Sequence, residues 1–195
     1  MKRLLLIIIL TFSFQTLAKA DDIRDFEIEG ISIGDSALDF VSKEFIEKEK
    51  YYYKKNTDKF IIFNIDESNN KSFEFKKYDG VYINYKNKDS KYIIHSLRAK
   101  NFYKNNIEEC YKLKKEIIVD FKNQFKIINR DDQKGDHWAD DSGKSKVDST
   151  FLEIIGGRIV VQCFDWSEEM NKWDGLNISI STSEYADWLD DLSSS

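Results

Sequence analysis

The chain has 195 residues, of which 41% are hydrophobic and 33% are charged, with a formal net charge of −5 at pH 7. It contains no proline and only two cysteines, which excludes collagen-like, mucin-like and disulfide-rich miniature proteins. An aromatic content of 14% argues against wholesale disorder. A chain of this length usually forms about one domain.

The N-terminus has the pattern of a cleavable secretory signal. Lys2 and Arg3 precede an apolar run, and small residues end at Ala20, just before an acidic stretch. A membrane anchor is the weaker alternative, because the run is shorter than the roughly 20 residues that cross a bilayer core. We expect a signal peptide at 1–20, a single domain at 21–195, and a periplasmic or secreted product.

Lysines are concentrated between residues 43 and 130, whereas both ends of the mature chain are acidic. Such a basic segment could bind a polyanion. Its only arginines are Arg98 and Arg130, however, and arginine is favoured for planar phosphate recognition. We therefore expect the acidic ends to fold against the middle, with no nucleic-acid partner and no membrane insertion after signal cleavage.

Hydrophobic spacing predicts the elements of the first half. A short strand is followed by a glycine-flanked bend, a helix that Ser36 caps, a further strand and a hairpin. In the hairpin, Val81, Ile83 and Tyr85 share one face, and we expect Ile93, His95, Leu97 and Ala99 to share one face of the return strand. The predicted ranges are 26–29 (strand), 36–48 (helix), 60–63 (strand), 81–85 and 93–99 (hairpin).

The second half begins with a long amphipathic helix, and a polar loop at 129–147 follows it. A Gly156-Gly157 turn then predicts a tight hairpin that places Leu152, Ile154, Ile159, Val161 and Cys163 on one face. A last strand precedes a helix whose Tyr185, Trp188 and Leu192 face inward. The predicted ranges are 105–125 (helix), 150–155 and 158–164 (hairpin), 176–180 (strand) and 181–192 (helix).

Tight hairpins favour antiparallel pairing over a doubly wound parallel sheet, which needs a helix between each pair of strands. The expected fold is α+β, a mainly antiparallel sheet with a long amphipathic helix and two shorter helices packed on one face.

The two cysteines lie on apolar faces of two predicted elements, Cys110 on the long helix and Cys163 in the glycine hairpin. An even number of cysteines in an exported protein favours a disulfide. We expect these two residues to be bonded to each other; two buried free thiols are the alternative.

The polar loop contains several carboxylates that could bind a hard cation such as calcium. No recognised ligand spacing is present, so a solvated loop is the simpler interpretation, and we predict no cofactor. The candidate cation ligands are Asp131, Asp132, Asp136, Asp140 and Asp141.

A small hydrolase is a further alternative. Ser32 lies in a G-x-S-x-G pattern between a strand and a helix, as a nucleophile elbow does. Only eleven mature residues precede it, which leaves no room for the strands and the oxyanion loop that the hydrolase fold requires. A cleft of Asp136, His137 and Asp165 would be needed instead, and we assign no catalytic residue.

Tyrosines are frequent near the basic middle of the chain. Because Val81, Ile83 and Tyr85 face inward, Tyr82 and Lys86 are expected to face outward. An exposed aromatic and lysine surface is a candidate binding site, for which we name Tyr82, Lys86 and Tyr92. Ordinary packing of tyrosine in a sheet is the alternative.

Three sequence runs resemble a group of small exported proteins of marine alphaproteobacteria: FEIEGISIGDSAL (26–38), HWADDSGKSKV (137–147) and VVQCFDWSEE (160–169). The resemblance implies export and no catalytic residues. The Gly-x-Ser-x-Gly-Asp entry to the first helix more distantly resembles small envelope-assembly modules of the outer membrane, although no lipobox cysteine is present.

We therefore expect a non-enzymatic periplasmic binding or interaction module, whose partner could be an envelope protein. The alternatives are a small-ligand or cation binder that uses the 129–147 loop and a small hydrolase.

Overall fold

The structure is a computed structural model that describes residues 22–53, 59–104 and 106–194. The predicted signal peptide at 1–20 lies outside the described residues.

Seven strands form one sheet, and every neighbouring pair is antiparallel. A separate hairpin of β1 and β2 precedes them. The strands are β1 (Glu27–Ile28), β2 (Ile31–Ser32), β3 (Phe60–Asp66), β4 (Gly80–Lys86), β5 (Ile94–Tyr103), β6 (Ile127–Asp136), β7 (Lys146–Ile154), β8 (Gly157–Asp165) and β9 (Asp174–Thr182). The spatial order β3-β4-β5-β9-β8-β7-β6 joins a three-stranded and a four-stranded meander at β5 and β9.

Three α-helices are present in the described residues: α1 (Lys43–Glu49), α2 (Ile107–Gln124) and α3 (Ser183–Ser194). Short 3-10 helices span Ile23–Asp25, Ala37–Asp39 and Glu168–Met170. The predicted α+β class with a mainly antiparallel sheet is confirmed. The predicted first helix is divided into a 3-10 turn and α1, and each begins at a serine whose hydroxyl accepts a backbone N–H.

One face of the sheet, here called the core face, is covered by α1, α2 and the β1-β2 hairpin. Its inward side chains include Phe63, Ile83, Leu97, Ile159 and Ile178, all of which are buried. The apolar alternation in the sequence predicted most of this face, since alternate residues of a strand point to the same side.

The prediction that all helices pack on one face is wrong for α3. Its Tyr185 and Trp188 contact Phe60, with ring centroids 5.1 and 5.2 Å apart. Phe60 alternates with Ile61 and Phe63 and therefore points away from the core face. Strand β3 is apolar on both sides, so its second side needs a cover, which α3 provides.

A bulge between β4 and β5 changes the predicted face of two residues. Tyr85 pairs with Ile94 and Asn84 with Ser96, so His95 is the extra residue. Ile94, Leu97 and Ala99 therefore share the core face, and the expectation that Ile93 and His95 join them is wrong.

The glycine hairpin has the predicted faces, but its turn lies one residue earlier. Ile154 pairs with Gly157, so Ile155 and Gly156 form the turn. Gly157 begins β8 because β9 approaches it closely: a Cβ there would lie 2.1 Å from the Ser181 carbonyl oxygen.

The prediction of a polar loop at 129–147 is wrong for about half of its residues, which belong to strands. Residues 129–136 belong to β6, β7 begins at Lys146, and the loop between them is 137–145. Strand β6 lies at the edge of the sheet and is mostly exposed, so no hydrophobic alternation marks it. Charged side chains are common on such edges because they oppose pairing with other chains.

The predicted disulfide is confirmed. Cys110 of α2 and Cys163 of β8 are bonded across the core, and both are fully buried. The bond fixes α2 to the core face of the sheet.

Candidate functional site

The face of the sheet opposite the core face, here called the open face, has a polar centre. Arg98 and Lys100 of β5, Asn177 of β9, and Ser149 and Gln162 of the next two strands project from it. These residues alternate with the buried residues of the core face. Helix α3 covers one end of this face, so the centre and the other end stay accessible.

A groove of about 580 Å³ runs over the uncovered part of the open face. Its floor is the polar centre described above, and aromatic rings form its outer end. The groove is continuous with a smaller cavity of about 240 Å³ beside α3. The two spaces share three lining residues, Arg98, Phe151 and Gln162. The combined volume is in the range of typical ligand sites.

The outer end of the groove is built around His137. Its ring centroid lies 4.1 Å from that of Trp166, 5.3 Å from Phe164 and 5.6 Å from Trp138. Trp138 is 88% exposed and Trp173, on the same rim, is 55% exposed. Large exposed aromatic rings that border a concave surface are typical of binding sites.

Hydrogen bonds fix the loop that carries His137 and Trp138. The backbone N–H of Ala139 donates to Nδ1 of His137 at 3.1 Å, so the proton of the neutral ring is on Nε2. Burial lowers the pKa of His137, and the positive charge of Lys172 lowers it further. Ser142 and Ser145 donate to the Asp140 carboxylate, and these bonds hold its pKa well below the usual value.

The groove is basic although the chain is acidic. Arg98, Lys100 and Lys172 line it, and in the described part of the chain no lining residue is Asp or Glu. Lys172 lies 4.1 Å from the centroid of Trp166, and Lys100 donates to the hydroxyl of Tyr82 at 2.9 Å. Within the same residues, none of these three cations forms a salt bridge.

Arg98 differs from the other described arginines. Arg24, Arg130 and Arg158 each pair with a carboxylate. The Arg98 guanidinium instead lies 4.4 Å from the centroid of the Tyr82 ring. Its Nε is buried and has no hydrogen-bond partner among the described residues. An unpaired buried donor is uncommon in a folded protein.

The three residues predicted to form a tyrosine and lysine surface do not form one surface. Tyr82 lies on the open face, where it supports Arg98 and Lys100. Lys86, also on β4, pairs with Glu184 of α3 at 2.8 Å. Tyr92 is only 7% exposed and packs against Tyr85 in the core, so its place in a binding surface is a wrong prediction. It precedes β5 in a turn that directs its ring toward the core.

The five candidate cation ligands do not converge. Asp131 and Asp132 are successive strand residues and point to opposite faces; Asp132 pairs with Arg130 at 2.7 Å. Asp136 pairs with Lys146. Asp140 accepts hydrogen bonds from Ser142 and Ser145, and Asp141 is exposed. Across 22–53, 59–104 and 106–194, no cluster of three or more His, Cys, Asp or Glu side chains could hold a metal ion.

The residues considered for hydrolysis are also apart. The Ser32 backbone N–H donates to Asp35, and Ser32 makes no hydrogen bond with either histidine within the described ranges. His95 bonds Thr182 beside α3, while His137 is enclosed by aromatic rings. Asp136 pairs with Lys146, and burial raises the pKa of Asp165.

Sequence reasoning missed most of the groove. Arg98, Lys100 and Phe102 alternate along β5, and Gln162 and Phe164 alternate along β8, so each strand places polar and aromatic residues opposite the core. This alternation was the available signal. The partners Trp138 and Trp173 come from loops, whose position depends on the tertiary fold.

No family model matches the sequence, and neither the curated proteins nor the solved structures gave a match. Within the described residues, no helix is long and apolar enough to cross a membrane.

Proposed function

We propose that the protein is an exported, non-enzymatic binding module that holds an anionic ligand in the groove. The observation that carries this proposal is the charge of the groove. Three cations, Arg98, Lys100 and Lys172, line it without a carboxylate among the described residues, in a chain of net charge −5. A concave surface lined by one sign of charge attracts ligands of the opposite sign.

The construction of the groove supports reversible binding. Arg98 and Lys100 extend from β5, one of the central strands, whose hydrogen bonds fix their spacing. Side chains carried by a rigid sheet need little reorganisation when a ligand arrives, which favours affinity. The exposed rings of Trp138 and Trp173 add apolar contact area at the rim.

Export is supported by two features. Residues 1–20 have the composition of a cleavable leader, and Cys110 and Cys163 form the kind of disulfide that persists in oxidising compartments. Both features support a periplasmic or secreted location. The expectation that an envelope protein is a partner stays a prediction.

The proposal is tested with anilinonaphthalene sulfonate, a fluorescent probe that has an anionic group and aromatic rings. We expect the folded protein to bind it at low salt. Lys172→Gln removes one exposed groove cation and should weaken binding at least threefold, and Arg98→Gln should weaken it at least tenfold. Far-UV circular dichroism checks that each variant is folded.

Lys112→Gln is the matched control, because Lys112 is an exposed lysine of α2, on the opposite side of the sheet. It makes the same change in net charge and should leave probe affinity unchanged. If all three variants bind equally, or if folded wild type does not bind the probe, the groove is not an anion site and the proposal fails.

A further inference from the structure

The groove combines three chemical features, and a ligand must match all of them. These are cations that have no carboxylate partner among the described residues, exposed flat aromatic rings, and amide and hydroxyl groups on the floor. Each feature limits the class of ligand separately.

The cations select a carboxylate near Arg98. Arg158, on the same face of the sheet, shows the arrangement that a paired arginine has here: it donates to Glu153 and, through both Nη atoms, to Asp190 at 2.9 Å. Arg98 lacks any such acceptor among the described residues, although its side chain lines the groove. The planar guanidinium binds carboxylates through two parallel hydrogen bonds, so a ligand carboxylate in the groove would pair with the accessible side of the Arg98 guanidinium.

The exposed rings select a ligand with flat apolar faces. One face of Trp138 stacks on His137 at an interplanar angle of 28°, and the side chain is 88% exposed, so its other face is open to solvent. Phe102 and Trp173 contact each other edge to face and form a second exposed aromatic surface. The C–H face of a pyranose ring is apolar and of similar width, and it packs well against such rings.

The floor selects hydroxyl groups. Gln162 and Asn177 each carry an amide, which can both donate and accept hydrogen bonds, and Ser149 carries a hydroxyl. Gln162 already donates to Ser149 at 2.9 Å, which leaves its carbonyl oxygen as an acceptor. A fully ionised phosphate only accepts hydrogen bonds, whereas a sugar hydroxyl both donates and accepts them, so the amides match a saccharide better than a polyphosphate.

Acidic residues beside the groove limit how far the anionic part of a ligand can extend. Beyond Phe102 and Trp173, the adjacent surface carries Asp66, Glu67 and Asp79. A long, uniformly charged polymer that ran in this direction would meet these carboxylates. A short acidic segment that ends at the aromatic rim would not.

We propose, on the basis of the binding function above, that the ligand is an acidic oligosaccharide. A ring carboxylate pairs with Arg98, with Lys100 and Lys172 adding positive charge nearby. Sugar rings stack on Trp138 and on the Phe102–Trp173 surface, and ring hydroxyls bond Gln162 and Asn177.

The test measures the affinity of the exported, oxidised protein for oligogalacturonate by calorimetry. Its methyl-esterified form has the same rings without charge, and oligoglutamate has the charge without the rings. We expect oligogalacturonate to bind at least tenfold more tightly than either. Arg98→Gln should remove most of this preference over the ester, while Trp138→Ala should weaken both saccharides by a similar factor.

Trp138 is almost fully exposed, so its substitution is not expected to affect folding, and Lys112→Gln again serves as the control. Equal affinity for oligogalacturonate and oligoglutamate, or for the acid and its ester, would overturn the saccharide assignment. If Arg98-dependent binding of anilinonaphthalene sulfonate persists in that case, the anion-binding function stands and only the ligand class is wrong. If neither the probe nor any oligomer binds, both proposals fail.

Discussion

Lys114 is a buried lysine on the side of α2 that faces the sheet. Its side chain is 6% exposed, and its ammonium donates to the Asp148 carboxylate at 2.6 Å and to the Asp148 carbonyl at 2.9 Å. Burial lowers the pKa of Lys114, and the bond with Asp148 opposes this change. Lys134 pairs with the second carboxylate oxygen. The lysine therefore stays charged because a carboxylate accompanies it into the interior.

Removing Asp148 should cost more stability than removing Lys114. Asp148→Asn leaves a buried ammonium without its counter-charge, and we expect the free energy of unfolding to fall by about 3 kcal/mol. Lys114→Met replaces the charge with an apolar chain of similar length and should cost less, since the desolvation of a buried ion pair offsets much of its attraction and Lys134 still pairs with Asp148. Urea denaturation of both variants measures the difference. Equal losses would contradict this account of the pair.

The pH dependence of the pair follows from the carboxylate. Burial opposes ionisation of Asp148, but the bonds from Lys114 and Lys134 lower its pKa overall. A lowered carboxyl pKa stabilises the fold above the unfolded value and loses that contribution as the pH falls through the folded value. The decrease in the free energy of unfolding between neutral and acidic pH should therefore be smaller in Asp148→Asn than in the wild type.

At the scale of elements, the loop at 137–145 depends on a neutral histidine. The Ala139 N–H needs Nδ1 of His137 as an acceptor, and protonation of the ring removes that acceptor. Burial and Lys172 lower the pKa of His137 from the ordinary 6.5. The neutral ring therefore stabilises the loop above pH 6.5, and this stabilisation is lost as the pH falls through the lowered pKa.

We expect tryptophan fluorescence of the wild type to change as the pH falls below 6.5, because the lowered pKa of His137 places its protonation below the ordinary value. His137→Asn should abolish the change, because an asparagine oxygen keeps an acceptor for Ala139 and does not titrate in this range. His95→Gln alters the only other histidine and should retain the change. A transition that disappears in His95→Gln instead would assign the effect to the α3 end of the sheet.

The sequence predicted elements whose signals are local. The hairpin faces at 150–164, the alternation of β9 and the stripe of α2 all follow from periodicity. The failures depend on neighbours. The extra residue at His95 is set by pairing with β4, and the edge strand β6 has no buried face to mark it. The position of α3 is different, because the sequence did contain a signal for it. The unbroken apolar run at 60–63 indicates a strand that is covered on both faces, and α3 covers the second face.

At the scale of the whole molecule, the expected pairing of acidic ends with the basic middle is visible in particular contacts. Glu184 of α3 bridges Lys59 and Lys86, and the Glu29 carboxylate accepts backbone N–H groups of residues 76–78. The exposed ion pairs of Glu184 contribute little free energy each. The cations of the groove have no carboxylate partner among the described residues, a property that could not be predicted from the order of charges along the chain.

The compartment in which the chain folds should determine its stability. The disulfide closes 53 residues between Cys110 and Cys163 and, in the chain-entropy model, stabilises the fold by about 4 kcal/mol. We expect the full chain, expressed in a bacterium with an oxidising periplasm, to be cleaved after Ala20 and recovered without thiols that react after unfolding. A chain starting at Asp21 and kept in the cytoplasm should contain two reactive thiols and unfold at a lower urea concentration.

The double variant Cys110→Ala/Cys163→Ala separates the bond from the compartment, because it cannot be oxidised in either place. Its stability should be the same whether it is purified from periplasm or cytoplasm, and close to that of the reduced cytoplasmic chain. Mass spectrometry of the N-terminus and thiol counting after denaturation are sufficient to decide. An uncleaved leader in the oxidised product would contradict the predicted signal peptide. Two free thiols in a correctly cleaved product would show that the exported protein does not form the disulfide.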